Sequence, residues 1–206
     1  ADFYGAQETF FLVNGSTTGI LSAISAAVPR LGTLLMARNS HKSAYNAVYL
    51  RGLETVYLLP TATEFGISGS ISPAHVAQAL DDLPQISAVY ITSPTYDGVA
   101  SDIRTIAEIV HAYDLPLIVD EAHGAHFALS EEFPESALDC GADLVIQSMH
   151  KTLPCLTQTA LLHVNSQRID RDALENFISI YQTSSPSYML MTSMEQGIRF
   201  RNEKKD

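Results

Sequence analysis

Short apolar runs alternate with helix-spaced stretches along nearly the whole chain. This alternation constrains the fold more than any other feature. The runs cover residues 9–13, 33–37, 55–59, 88–92, 115–119 and 143–147. The first of them are continuous rather than alternating, as expected of parallel strands buried on both faces. Helical patterns fill the gaps: a stretch through residue 28, then 41–50, a helix opened by Ser72 as N-cap with Pro73 at its first position, and 102–113. Repeated strand–helix units predict an α/β, doubly wound sheet. A seventh run, 159–164, follows 143–147 after a short turn rather than a helix. That connection is too short for a crossover, so the seventh strand is predicted antiparallel. The expected architecture is a mostly parallel seven-stranded sheet with one antiparallel strand. Residues 168–201 read as two helices leaving the sheet, and no linker or repeat divides residues 1–206 into two domains.

Composition narrows the function. The 206 residues are 46% hydrophobic and 17% charged, enough apolar material for one sizeable core. No apolar run approaches the ~18 residues of a membrane span, so no membrane partner is expected. The net charge is −11 and no basic stripe occurs, so nucleic acid is not an expected partner. An acidic surface mildly favours a cationic substrate. Cys140 and Cys155 form no CxxC pair, and a reducing, cytoplasmic setting is the default. The N-terminus lacks the pattern of a signal peptide and reads like the middle of a longer chain.

In doubly wound sheets ligands bind beyond the carboxyl ends of the strands. The polar clusters at those positions are 14–17, 38–42, 92–96, 120–123 and 148–151. Gly15 permits a tight turn. Ser16 and Thr17 add hydroxyls to the free N–H groups of the helix that follows, which makes a phosphate cradle, although such a pattern is more often only a helix cap. Asp120 ends an apolar strand, where an unpaired carboxylate is costly. It could bind a metal, hold a proton on a heterocyclic nitrogen, or serve as a cap. The trio Asp120, His123 and His126 lacks a further clear metal ligand, so no metal is expected. His41 is a structural histidine or a ring that stacks on a ligand. Lys151 follows a strand directly and is flanked by Ser148 and His150, unlike an ordinary surface lysine. An amine beside a phosphate cradle, a flat ring and a carboxylate is what pyridoxal 5'-phosphate requires. The amine forms an imine with the aldehyde, and the carboxylate keeps the pyridine nitrogen protonated.

The stretches "FFLVNGSTTG", "RNSHKSAYNAVYLRGLETVYLLP", "TSPTYDG", "VDEAHGAHF" and "QSMHKTLP" occur in this order between about residues 10 and 164. With them the chain resembles the Orn/Lys/Arg decarboxylase family, the group III pyridoxal-phosphate decarboxylases of fold type I, with an aspartate-aminotransferase-like large domain. The resemblance implies decarboxylation of a basic amino acid (lysine, arginine or ornithine) to its amine and CO2. It implies Lys151 as the Schiff-base lysine, Asp120 on the pyridine nitrogen, His123 near the ring oxygen and His41 stacked on the ring. Ser16, Thr17 and Ser148 would hold the phosphate, and His150 would be a phosphate contact or a proton-transfer group. Thr92 and Ser93 would line the pocket. Family members are longer and active as homodimers or higher homo-oligomers, so the chain reads as a cofactor domain without the N-terminal segment and small C-terminal domain. Asp97 and Glu121 are the acidic candidates for gripping the substrate's far end, and neither decides which basic amino acid is used. Rival readings are an aminotransferase, aldolase or β-eliminating lyase of the same fold, a non-catalytic binding domain, and a DEAH-type ATPase. The last needs GxxxxGK[ST], and no Gly-Lys pair occurs.

Overall fold

The computed structural model describes residues 1–202. Among them, strands β1 (Glu8–Leu12), β2 (Thr33–Ala37), β3 (Glu54–Leu58), β4 (Ile86–Thr92), β5 (Leu117–Asp120), β6 (Leu144–Ser148) and β7 (Ala160–Val164) form one sheet in the order β1-β7-β6-β5-β4-β2-β3. β7 runs antiparallel to both β1 and β6, and the remaining pairings are parallel. The expected single reversed strand is therefore present. Its connection from β6 contains one helical turn, α5 (Met149–Thr152), where the sequence suggested only a turn.

The strands are apolar on both faces because both faces are covered. Leu34 and Met36 of β2 join one core, and Leu35 and Ala37 join the other. The first core is completed by α1 (Gly15–Ala27), α2 (Lys42–Arg51) and α6 (Arg171–Tyr181), through residues such as Ile24, Ala47 and Leu174. The second is completed by α3 (Pro73–Asp82), α4 (Ile103–Ala112) and α7 (Tyr188–Asn202), through Val76, Ile106 and Met194. Each fully buried Leu or Ile contributes about 1.5–3 kcal/mol, more than a typical cap, so burial sets where the helices lie. Caps set where they start: Asp102 accepts from the Thr105 N–H at 3.1 Å and Asp170 from the Ala173 N–H at 3.1 Å. Ser72 does sit before Pro73, but its side chain makes no capping bond.

The last two helices do not leave the sheet. α6 packs on α1 with Leu174, Phe177, Ile178 and Tyr181 at i, i+3, i+4 and i+7, a spacing that gives a helix one apolar face to bury. α7 returns to the opposite face, where Met194 is fully buried.

One polar chain crosses the second core. Thr9 Oγ1 lies 2.9 Å from His163 Nδ1, and His163 Nε2 lies 3.1 Å from Gln147 Oε1. Gln147 Nε2 donates to Glu121 Oε2 at 2.6 Å, and the Ala137 N–H donates to Glu121 Oε1 at 2.7 Å. Burial raises the Glu121 pKa to about 8 and pushes His163 down to about 3.

Candidate active site

At the carboxyl ends of β1, β2, β4, β5 and β6 lies a cavity of about 580 Å3. Gly15, Ser16, Thr17, His41, Asp120, His123, Ser148, His150 and Lys151 all line it. The sheet topology brings these residues together from segments far apart in sequence.

The cradle begins at α1. Gly15 has φ 77°, a left-handed conformation that suits glycine, and its N–H donates to the Gln158 carbonyl at 2.8 Å. Asn14, rather than a serine or threonine, occupies the N-cap position and makes no capping bond with its side chain. Ser16 and Thr17 thus lie in the first turn, where N–H groups lack helical partners and the dipole favours an anion. α1 is pressed tightly on the sheet: a Cβ on Gly19 would stand 2.8 Å from Leu12 Cδ1 and 3.1 Å from Ile146 Cγ2. Ser148, another residue of the cavity lining, is fully buried at the N-cap of α5, and its hydroxyl has no hydrogen-bond partner among the described residues. Asn39 Oδ1, also on the wall, is likewise buried without a partner there.

Asp120 is 2% exposed. Tyr90 donates its O–H to Oδ2 at 3.1 Å, and the Ala122 N–H donates to Oδ1 at 3.1 Å. Burial raises its pKa, and those two donors with the Lys151 charge oppose the rise. Lys151 is half-buried; desolvation lowers its pKa and Asp120 acts against that. His123 is lowered first by burial and then by the Lys151 charge, and its ring meets the Tyr96 ring edge-on at 5.6 Å.

His41 caps α2. Its Nδ1 accepts from the Ser43 N–H at 3.2 Å and lies 2.9 Å from Ser43 Oγ. His150 Nδ1 lies 3.0 Å from the Thr159 carbonyl, which can only accept, so Nδ1 carries the hydrogen and Nε2 of the neutral ring is an acceptor.

Several sequence expectations change. Thr92 lines the cavity but Ser93 does not; Ser93 is buried and accepts from the Ser101 N–H at 3.0 Å. Glu121 is 1% exposed and belongs to the polar chain of the second core, and neither it nor Asp97 lines the cavity. Asp120 is the one acid on the described wall. His126 stands away from it, between Phe127 and Phe133 at 4.9 and 4.6 Å. Sequence reasoning missed Thr157 and Gln158. The signal for them was available: an antiparallel β7 must begin where β6 ends, so the loop before it borders the site.

A sequence model described as "Orn/Lys/Arg decarboxylase, major domain" matches residues 1–205. The uncharacterised protein YaaO of Bacillus subtilis (strain 168) is 45% identical over 201 residues, covering 95% of this chain and 41% of YaaO. An arginine decarboxylase of the same organism is 34% identical, covering 95% of this chain and 40% of its own length. The chain therefore spans about two fifths of the length of these two relatives. Among solved structures, lysine decarboxylase A from Pseudomonas aeruginosa superposes with a TM-score of 0.85 at 25% identity, over 98% of this chain and 30% of that one. With the matched model reaching across nearly every residue and the relatives agreeing with it, the chain belongs to the Orn/Lys/Arg decarboxylase family.

Proposed function

We propose that the chain is the cofactor-binding part of a longer pyridoxal 5'-phosphate-dependent enzyme that decarboxylates a basic amino acid. The observation that carries this reading is one cavity wall bearing three things: an amine with lowered pKa, a buried carboxylate, and an anion cradle that includes the partnerless Ser148 hydroxyl. A phosphate would supply that hydroxyl with the acceptor it lacks, so the residues fit the cofactor. Ser16, Thr17, Ser148 and the first N–H groups of α1 would hold the phosphate, Asp120 the pyridine nitrogen, and Lys151 the aldehyde carbon. When bound, pyridoxal phosphate supplies a protonated ring that accepts the electron pair left as the Cα–carboxylate bond breaks.

The chain's own residues set the conditions for that chemistry. Desolvation of Lys151 increases its neutral, nucleophilic fraction. Tyr90 and the Ala122 N–H fix both oxygens of Asp120, so its charge is aimed rather than free to turn. His41 is held by its Nδ1, which leaves the rest of the ring available to a flat ligand. His150, with its hydrogen fixed on Nδ1, presents Nε2 as a site that takes up and returns a proton. No helix among the described residues is long and apolar enough to cross a membrane. Arginine is the first substrate to test, because named arginine decarboxylases are 33–35% identical to the chain and lysine decarboxylases 25–27%. Among the described residues, the cavity wall carries no second acid for the substrate's distal cation. We infer that another segment or the second subunit of a homodimer supplies it.

The experiment is reduction of the full-length protein with borohydride in the presence of pyridoxal phosphate, followed by peptide mass spectrometry. Within these 206 residues lysines occur only at 42, 151, 204 and 205, so a label on Lys151 is readily told from the others here. The expected result is a pyridoxyl group on Lys151 that is lost in Lys151→Ala, with arginine, lysine or ornithine then releasing CO2. Labelling spread over the other lysines and unchanged in the variant would refute the reading.

A further inference from the structure

Ser43 is not part of the lining of this cavity, yet it touches two residues that are. It is 1% exposed on the first turn of α2, and its Oγ lies 2.9 Å from Thr17 Oγ1 and 2.9 Å from His41 Nδ1. Its backbone N–H already points at His41 Nδ1 at 3.2 Å, so in this geometry that nitrogen is an acceptor. Ser43 has a single hydroxyl hydrogen and two acceptors within reach. Thr17 likewise has one hydrogen.

Two arrangements satisfy the group. In the first, Thr17 donates to Ser43 and Ser43 donates to His41 Nδ1. In the second, Ser43 donates to Thr17 and the Thr17 hydrogen turns to the cavity. The first leaves Thr17 with no hydrogen for an anion. The second supplies one, and a donor already receiving a hydrogen bond is the stronger donor. An anion at the start of α1 selects the second arrangement. His41 Nδ1 then loses the Ser43 hydroxyl and keeps only the backbone N–H.

We propose that Ser43 is a positioning residue that couples the anion cradle at Thr17 to the His41 ring, so that filling the cradle releases one of the two hydrogen bonds holding that ring. The inference rests on the anion cradle of the proposed function, which stands on the helix N-terminus together with the partnerless buried hydroxyl of Ser148. The coupling requires no movement of the backbone.

The test adds inorganic phosphate to the full-length protein labelled with 15N. It follows the His41 Nδ1 resonance together with the backbone amides of Gly15 and Ser16. In the wild-type protein both should move. In Ser43→Ala the amides should still move while the Nδ1 response is lost. Thr17→Val should lose it in the same way, and Thr17→Ser, which keeps the hydroxyl, should restore it. An Nδ1 shift of equal size in Ser43→Ala would overturn the proposal, since it would report only the nearby charge. So would an unmoved ring while the amides respond. If neither amides nor ring respond, the cradle itself is absent and the coupling falls with it.

Discussion

Glu121 makes a sharp prediction about pH and stability. Its carboxyl is buried in the second core among Gln147, His163 and Thr9, with Asp120 and Asp139 as the charges that act on it unfavourably. An ionised Glu121 needs donors on both oxygens, which the Ala137 N–H and Gln147 Nε2 provide. The hydrogen bonds then run from Thr9 through His163 and Gln147 toward the charge. A neutral Glu121 needs one acceptor. The Gln147 amide provides it by turning over, because its oxygen and nitrogen occupy nearly equivalent positions. His163 then moves its hydrogen from Nε2 to Nδ1, and the chain runs the other way with no group left unpaired. His163 stays neutral throughout, since burial holds its pKa at about 3.

The linkage has a definite sign. The folded pKa of about 8 lies above the usual 4.5, so between those values the folded state holds a proton that the unfolded state has lost. The stabilisation is complete below pH 4.5 and is lost as pH rises through about 8. The gap of about 3.5 pH units, at about 1.36 kcal/mol each, is worth about 5 kcal/mol. Glu121→Gln mimics the neutral form: its oxygen accepts from Ala137 and its NH2 donates to the turned Gln147. Urea unfolding of both proteins should show the variant gaining about 3 kcal/mol on the wild type between pH 5.5 and 8. The His163 hydrogen should move from Nδ1 to Nε2 over the same interval by 15N NMR. A stability difference that stays constant across that range would refute the reasoning.

Gly19→Ala forces a Cβ to within 2.8 Å of Leu12 Cδ1 and should cost about 1–3 kcal/mol in urea unfolding, because α1 must lift from the sheet that positions the cradle. Ser148→Ala removes one donor from the cradle and should weaken inorganic phosphate binding about threefold to tenfold by calorimetric titration, with unfolding stability unchanged or slightly raised, since a buried hydroxyl without a partner is removed.

The architecture was legible because strands buried on both faces must be mostly apolar, as 34–37 and 144–146 are, and because too few residues separate β6 from β7 for a crossover. The site was legible for a related reason: parallel strands deliver their last and following residues to one end of the sheet; Asp120 ends a strand, and Gly15, His41 and Lys151 follow strands. Thr157 and Gln158 precede their strand instead, so a search of strand ends passes over them. The polar chain was illegible because Thr9, Glu121, Gln147 and His163 meet across four segments with no motif in common. Glu121 in particular reads as the neighbour of Asp120, yet successive residues at a strand end face opposite sides of the sheet, and Glu121 lies in the other core. The helices after β7 were found, but their apolar spacing says only that a face is buried, not where.

The reversed strand has a consequence in time. β1 pairs with β7 and with no other strand, so Glu8 waits for Val164 and Leu12 for Ala160. A ribosome adding roughly 5–20 residues each second needs roughly 10–30 s to travel that stretch. Until it has done so, β1 has no neighbour among the described strands, and the loop that starts α1 has no Gln158 carbonyl to receive the Gly15 N–H. The cradle, encoded ahead of β2 to β6, is among the last of these parts to close during synthesis.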